Sequence, residues 1–371
     1  FKKIGQRATQ THKTFFKISV IALLLVILTS GFIYVYRLRH ELLRTRTEYQ
    51  QVYEDMRNDI ATLEDELISQ GSFVTDRMTG DYAFVVDPSI VRLNSAVITT
   101  IDMDSPITIL AGGHLYGSPY NEGNPLISNT VQNNIDEINS SQANLFFSLG
   151  DMTYLPSSES IRGLRSTFLD KITIPIFNAV GNHDLKNGRT FYQENFGQTY
   201  YSFEYGALQI IVLDTIISHC YIEGHQLDML DVVLENALHN DAIKNIFIFT
   251  HKLIFLEDDD LMGRANGFCD YGSNFSYLRD DILIPSSFEK PIYIIAGDVG
   301  AFGGNLSPYY YQYPNSNLYT IAVGEGDSAA DALLKITVDG SDVNFSLLPL
   351  AGGQFNDLST YTPAYWILQP H

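Results

Sequence analysis

Apolar and polar positions follow three regimes along the chain. Residues 18–36, ISVIALLLVILTSGFIYVY, run 19 positions without a charge, close to the roughly 20 a helix needs to cross a hydrocarbon core. Tyr34 and Tyr36 stand at one edge of this run, where amphipathic rings favour a membrane interface. A cleaved leader would have a shorter apolar part, about 7–15 residues, ending in small residues. This run leads into YRLRHELLRTR, and an uncleaved transmembrane helix is the expectation. Residues 38–69 then contain neither Gly nor Pro, and Leu42, Tyr49, Val52, Met56, Leu63 and Leu67 recur at spacings of threes, fours and sevens among charges. That pattern predicts a helical stalk over 37–71, either a coiled coil pairing two chains or a single helix packed on its own domain. Gly71 and Ser72 end it.

From residue 82 to 371 short β-rich runs alternate with polar loops and helices. Strands are predicted at 82–86, 107–111, 145–149, 174–180, 208–213, 245–250, 292–296, 318–323, 333–338 and 343–348. Helices are predicted at 127–139, with Ile127, Val131, Ile135 and Ile138 on one face, and at 224–239, with Leu227, Leu230, Leu234 and Leu238 on one face. Asp339-Gly340 reads as a hairpin turn.

Charge sharpens this division. The chain of 371 residues has a formal charge of −20, from 43 acidic and 23 basic residues. Nine of the 23 bases and a single acid, Glu41, fall within residues 1–46. A basic head thus precedes a strongly acidic body, and a nucleic-acid partner is not expected. Lys2, Lys3, Arg7, Lys13 and Lys17 precede the apolar run, while Arg37, Arg39, Arg44 and Arg46 follow it. The acid-free first side, residues 1–17, places the N-terminus in the cytoplasm and the body outside it. The first residue is Phe rather than Met, so further residues are expected to precede it. Two cysteines, Cys220 and Cys269, exclude a disulfide-dense scaffold. In an extracytoplasmic body they are free to form one bridge.

In an α/β fold chemistry gathers at the carboxyl ends of strands. Five strand ends, in chain order, carry Gly112-Gly113-His114, Gly150-Asp151, Gly181-Asn182-His183-Asp184, His251 and Gly297-Asp298-Val299-Gly300. A lone His or Asp in such a place is ordinarily a loop residue bonded to backbone. Five in order point to a common centre.

These motifs resemble the calcineurin-like metallophosphoesterases, whose strand ends carry D-x-H, G-D, G-N-H-[DE], a lone His and G-H-x-H in that order. The resemblance covers roughly residues 105–350 and implies a layered α/β/β/α sandwich of that type, here preceded by a transmembrane helix and a stalk. It implies metal ligation by Asp151, Asn182, His251, His114 and, by substitution, Asp298. It further implies His183 as proton donor to the leaving oxygen, with the neighbouring His114 also a candidate catalytic residue. Two departures stand out. Gly112 replaces the first-motif Asp, and in the last motif Asp298 and Gly300 replace the two His. One divalent ion (Mn, Fe or Zn) is therefore expected at Asp151, Asn182, His251 and Asp298. The second position, left with His114 and Asp151, is expected to be weak or empty unless Asp102, Asp104 or the run Glu257-Asp258-Asp259-Asp260 reaches in. Tyr154 falls where some members carry a carboxylate that orients the His. Tyr309–Tyr313 would either line the mouth of the site or pack as ordinary rim.

Two functions follow. One is a membrane-anchored, metal-dependent phosphoesterase acting on a phosphomonoester or phosphodiester outside the cytoplasm, with a homodimer formed through the stalk. The other is a catalytically degenerate binding or scaffold module in a membrane or envelope assembly, motivated by the missing ligands.

Overall fold

The computed structural model describes residues 84–103, 105–118, 127–267, 269, 272–302 and 306–369. The basic segment, the expected membrane helix and the expected stalk lie outside them, as do the membrane and dimer partners read from those segments. Among the described residues no helix is long and apolar enough to cross a membrane.

Strands β1 (Ile107–Gly112), β2 (Leu145–Ser148), β3 (Ile176–Asn178), β4 (Tyr201–Tyr205), β5 (Leu208–Val212), β6 (Asn245–Phe249), β7 (Ile292–Ala296), β8 (Tyr309–Gln312), β9 (Leu318–Ala322), β10 (Ala332–Asp339) and β11 (Asp342–Pro349) form two sheets. One has the order β11-β10-β1-β2-β3 and the other β4-β5-β6-β7-β9-β8. Within them β1-β2-β3 and β5-β6-β7-β9 run parallel, with antiparallel strands outside. Parallel neighbours need crossover connections, and these bring the carboxyl ends of β1, β2, β3, β6 and β7 to one edge.

Composition explains the layering. LQIIV, NIFIF and IYIIA of β5, β6 and β7 are buried at every position, as strands covered on both faces must be. β11 is partly or fully exposed at every position and closes the edge of its sheet. Between the sheets Phe147 of β2 stacks on Phe249 of β6, with centroids 3.8 Å apart and planes 7° from parallel. Phe177 and Phe203 extend that aromatic layer. Alternation turns Ile246 and Ile248 to the opposite face. Beyond the first sheet, Leu110, Phe146, Ile176 and Leu333 form a second core with Val131, Ile138, Ile161, Leu164 and Phe168. Together the described residues form a mixed α/β sandwich with two sheets.

Several expectations shift. Two strands, β4 and β8, were not expected from the sequence. YSFEY keeps a two-residue alternation of aromatic and polar residues, whereas YYYQ carries tyrosine on both faces. The tyrosines at 309–313 therefore do not simply line a mouth. Tyr309 is buried in an edge strand, its ring stacked 5.7 Å from Phe255. The run at 82–86 contributes only a bridge from Val85 to Ser202 among the described residues. The helix expected over 127–139 is two, Asn129–Asn133 and Ile135–Ser140. It breaks at Asn134, whose side chain donates to the Leu350 carbonyl at 2.6 Å. Asp339 pairs with Asp342, so the hairpin turn is Gly340-Ser341. Cys220 and Cys269 are joined in a disulfide.

Candidate metal centre

Backbone approach at two glycines unites the strand ends of the two sheets. A Cβ on Gly113, after β1, would stand 2.3 Å from the Gly297 Cα, after β7, and a Cβ on Gly297 would meet Leu149 Cβ at 2.3 Å. No other residue permits this contact. It brings His114 and Asp151 from one sheet against His251 and Asp298 from the other.

His114 and Asp151 both adopt left-handed backbone, with φ 55° and 56°, a conformation that costs non-glycine residues of order 1 kcal/mol. Surrounding bonds enforce it. The His114 N–H donates to the Gly150 carbonyl at 3.0 Å, and the Tyr116 N–H to the Asp151 carbonyl at 3.2 Å. Asp184 is buried and accepts the N–H groups of Asp151, Met152 and Gly181 at 2.9, 2.9 and 3.0 Å. Burial and the nearby Asp151 raise its pKa to about 6, while the N–H donors pull it down. Asp184 thus ties the β2 and β3 loops together, a role readable only as the last letter of G-N-H-D.

His251 is fully buried, and burial holds its pKa below the usual value. Its Nδ1 lies 2.8 Å from the Leu149 carbonyl. A carbonyl only accepts, so Nδ1 carries the hydrogen and Nε2 of the neutral ring carries a lone pair. That lone pair faces Asn182 Oδ1 at 3.1 Å, Asp151 Oδ2 at 3.5 Å and Asp298 Oδ1 at 3.7 Å. Four atoms that can each offer a lone pair converge here. Ligands about 2.1 Å from one ion, at tetrahedral or octahedral angles, stand roughly 3.0–3.4 Å apart. The residues present therefore fit a divalent cation. Asp151, His251 and Asp298 are also the one cluster of His, Cys or acidic residues with this spacing among the described residues.

Asp151 is central. Its Oδ1 accepts the His183 N–H at 2.8 Å, leaving Oδ2 toward His251 at 3.5 Å and His114 Nε2 at 4.0 Å. Burial and the neighbouring Asp298 raise its pKa. Burial would raise Asp298 too, but His251 and Lys252 bring it below the ordinary value.

The first-motif side of the site is closed. His114 is neutral, its pKa lowered to about 3 by burial, and its Nδ1 pairs with the Glu325 carbonyl at 3.2 Å. Where the motif has Asp, a Cβ on Gly112 would stand 2.4 Å from Leu333 Cδ2 and 3.4 Å from Glu325 Oε1. At Gly300 φ is +90°, and a Cβ would stand 2.2 Å from the Gly324 carbonyl oxygen. Among the described residues, the outside carboxylates named above do not arrive. Asp102 is exposed ahead of β1, at the opposite end from the site. Glu257 pairs with Arg279, and Asp258 accepts the Leu261 N–H at 3.3 Å. Asp104 and the side chains of Asp259 and Asp260 lie outside the described residues.

His183 sits at the rim, and burial lowers its pKa to about 4. Its Nδ1 donates to the Tyr154 carbonyl at 2.8 Å, and its Nε2 accepts from Tyr116 Oη at 3.2 Å. The backbone of Tyr154 thus orients the ring; its phenol ring instead packs against His183 at 4.9 Å, and Lys186 lies over it at 4.2 Å. Tyr116 and Lys252 were not singled out in the sequence. Both flank predicted ligands, which was the only available signal.

No protein-family model matches the chain, and no curated protein matches it significantly. Among solved structures it is similar to a dimetal phosphatase from Danio rerio, at 11% identity and TM-score 0.46, over 66% of this chain and 96% of that one. It is also similar to a single mutant of Vps29 from Entamoeba histolytica, at 12% identity and TM-score 0.29, over 66% of this chain and 99% of that one.

Proposed function

We propose that the chain is a metal-dependent phosphoesterase with one tightly held divalent ion, hydrolysing a phosphomonoester or phosphodiester. The observation that carries this reading is the convergence of His251 Nε2, Asn182 Oδ1, Asp151 Oδ2 and Asp298 Oδ1. Three oxygens and one imidazole nitrogen form a harder set than zinc favours, which puts manganese first among Mn, Fe and Zn. When bound, the ion supplies neutralisation of phosphate charge and activation of water. The chain's own residues hold it and manage the proton. His183 receives a hydrogen bond from Tyr116, so in the neutral state its Nε2 is an acceptor. A bound phosphate dianion beside it favours the imidazolium, which can then donate to a leaving oxygen.

The apolar run at 18–36 supports anchoring in a membrane with the body outside the cytoplasm, and the 37–71 stalk supports pairing of two chains. The Cys220–Cys269 bridge agrees with an oxidising compartment. A second reading, a degenerate binding module, is favoured by the closed positions at Gly112 and Gly300.

The test is metal content with turnover. The protein is stripped, reloaded with manganese, iron or zinc, and assayed on aryl phosphates and phosphodiesters. About one ion per chain and hydrolysis are expected, both lost in Asp151→Asn. Two tightly held ions would refute the single-ion reading, and neither metal nor turnover would favour the binding module.

A further inference from the structure

Lys252 follows His251 directly, and its Nζ lies 2.5 Å from Asp298 Oδ2. The Asp298 carboxylate is thereby divided, with Oδ2 on the ammonium and Oδ1 facing His251 Nε2 at 3.7 Å. The pair is sequestered, at 13% and 3% side-chain exposure. Its backbone is fixed as well. The Lys252 N–H donates to Thr215 Oγ1 at 3.0 Å, and Thr250 Oγ1 donates to the Lys252 carbonyl at 3.2 Å. Overhead, the Asn266 N–H donates to the Asp298 carbonyl at 2.9 Å. The next residue comes so close that a Cβ on Gly267 would stand 2.4 Å from Lys252 Nζ and 3.0 Å from Asp298 Oδ2.

Where the motif has a neutral imidazole, this chain has a carboxylate, which adds one negative charge to a centre that already contains Asp151. Lys252 adds one positive charge beside it. We propose that Lys252 is a positioning residue. Its ammonium cancels the charge that Asp298 introduces and occupies Oδ2, so that Oδ1 alone is offered to the ion. Ammonium and carboxylate together thus replace one imidazole ligand. This inference rests on the metal-binding reading above. It has a direction that packing alone does not. A fixed cation next to a ligand opposes a divalent ion, so removing it tightens metal binding, whereas a loss of structure loosens it.

The experiment measures the Mn2+ dissociation constant of the full chain by competition with a fluorescent chelator. Lys252→Met keeps the apolar stem and removes the charge; its dissociation constant should fall by about tenfold or more. Gly267→Ala leaves the lysine in place but displaces its flexible end, and should tighten binding by roughly threefold. It tests the same claim if Lys252→Met does not fold. Tighter binding in the variants over a wild type that also binds supports both this inference and the metal reading. Equal or weaker binding in the variants overturns the role of Lys252 and leaves the metal reading standing. Binding only in the variants supports Lys252 as a resident counter-charge and overturns the metal-loaded wild type. Binding in none overturns both.

Discussion

Gly112→Asp restores the letter of the first motif, and the structure predicts that it fails alone. A Cβ there would lie 2.4 Å from Leu333 Cδ2, more than 1 Å inside the roughly 3.5–4.0 Å of carbon–carbon contact. Leu333 is fully buried on β10, directly beside Gly112 and in a core that includes Leu110, Phe146 and Val131, so it has little room to withdraw. Overpacking of this kind costs about 1–3 kcal/mol. At roughly 2–4 °C per kcal/mol for a large domain, Tm should fall by about 2–12 °C. Metal content should stay at one ion. Adding Leu333→Ala removes the obstructing methyl groups, so the double variant should accept the new carboxylate beside His114 and Asp151 and bind a second, weaker ion. Calorimetry and elemental analysis of the two variants provide the assay. If Gly112→Asp alone melts like the wild type and holds two ions, the argument that Leu333 closes this position is wrong.

Two further outcomes follow from the same geometry. His183→Ala should keep its metal, because the ligand is the adjacent Asn182, while turnover on alkyl phosphates falls by something like 10²–10⁴-fold; nitrophenyl substrates, whose leaving group needs no proton, should lose less. Equal losses on both substrates would remove the proton-donor role. Reducing the Cys220–Cys269 bridge, which spans a sequence separation of 49 residues, should destabilise the body by about 4 kcal/mol in the chain-entropy account, read as a lower Tm in reductant.

The centre was legible in the sequence because its ligands fall immediately after apolar strands. Ile107–Gly112, Leu145–Ser148, Asn245–Phe249 and Ile292–Ala296 are mostly apolar runs that belong in the core, and the polar residue that follows each one lies at the sheet edge. The relation between the two sheets was not legible. Nothing in the letters Gly113 and Gly297 says that their backbones touch; each would pass as a turn glycine. Lys252 was hidden for a similar reason. A lysine after a histidine is ordinarily solvated, and only the fold of the Asn266-Gly267 segment over it makes it a partner of Asp298. β8 was missed because tyrosine occupies both faces and erases the two-residue period; β4 was missed although Tyr201, Phe203 and Tyr205 keep that period. Tyr154 occupied the right place, yet its carbonyl and not its hydroxyl accepts the His183 hydrogen bond, since a backbone carbonyl is available whatever the side chain.

The two departures from the motif are lost ligands of different kinds, and this sets a bound on any rescue. At Gly112 the obstacle is the end of one side chain, and a second substitution can remove it. At Gly300 the backbone itself is left-handed, and a Cβ would stand 2.2 Å from a carbonyl oxygen of Gly324. No change of a neighbouring side chain relieves that contact, because the obstructing atom is main chain and a Cβ has no rotamer by which to avoid it. A rescued first position could therefore assemble Asp at 112 with His114 and Asp151, but not the last-motif ligand. It would hold three protein groups against four at Asp151, Asn182, His251 and Asp298, with Asp151 common to both. Any second ion would also share the Asp151 carboxylate with the first, so each lowers the charge available to the other. The two positions should therefore stay unequal even in the double variant. The asymmetry lies in the backbone at Gly300 and outlasts the single missing carboxylate at Gly112.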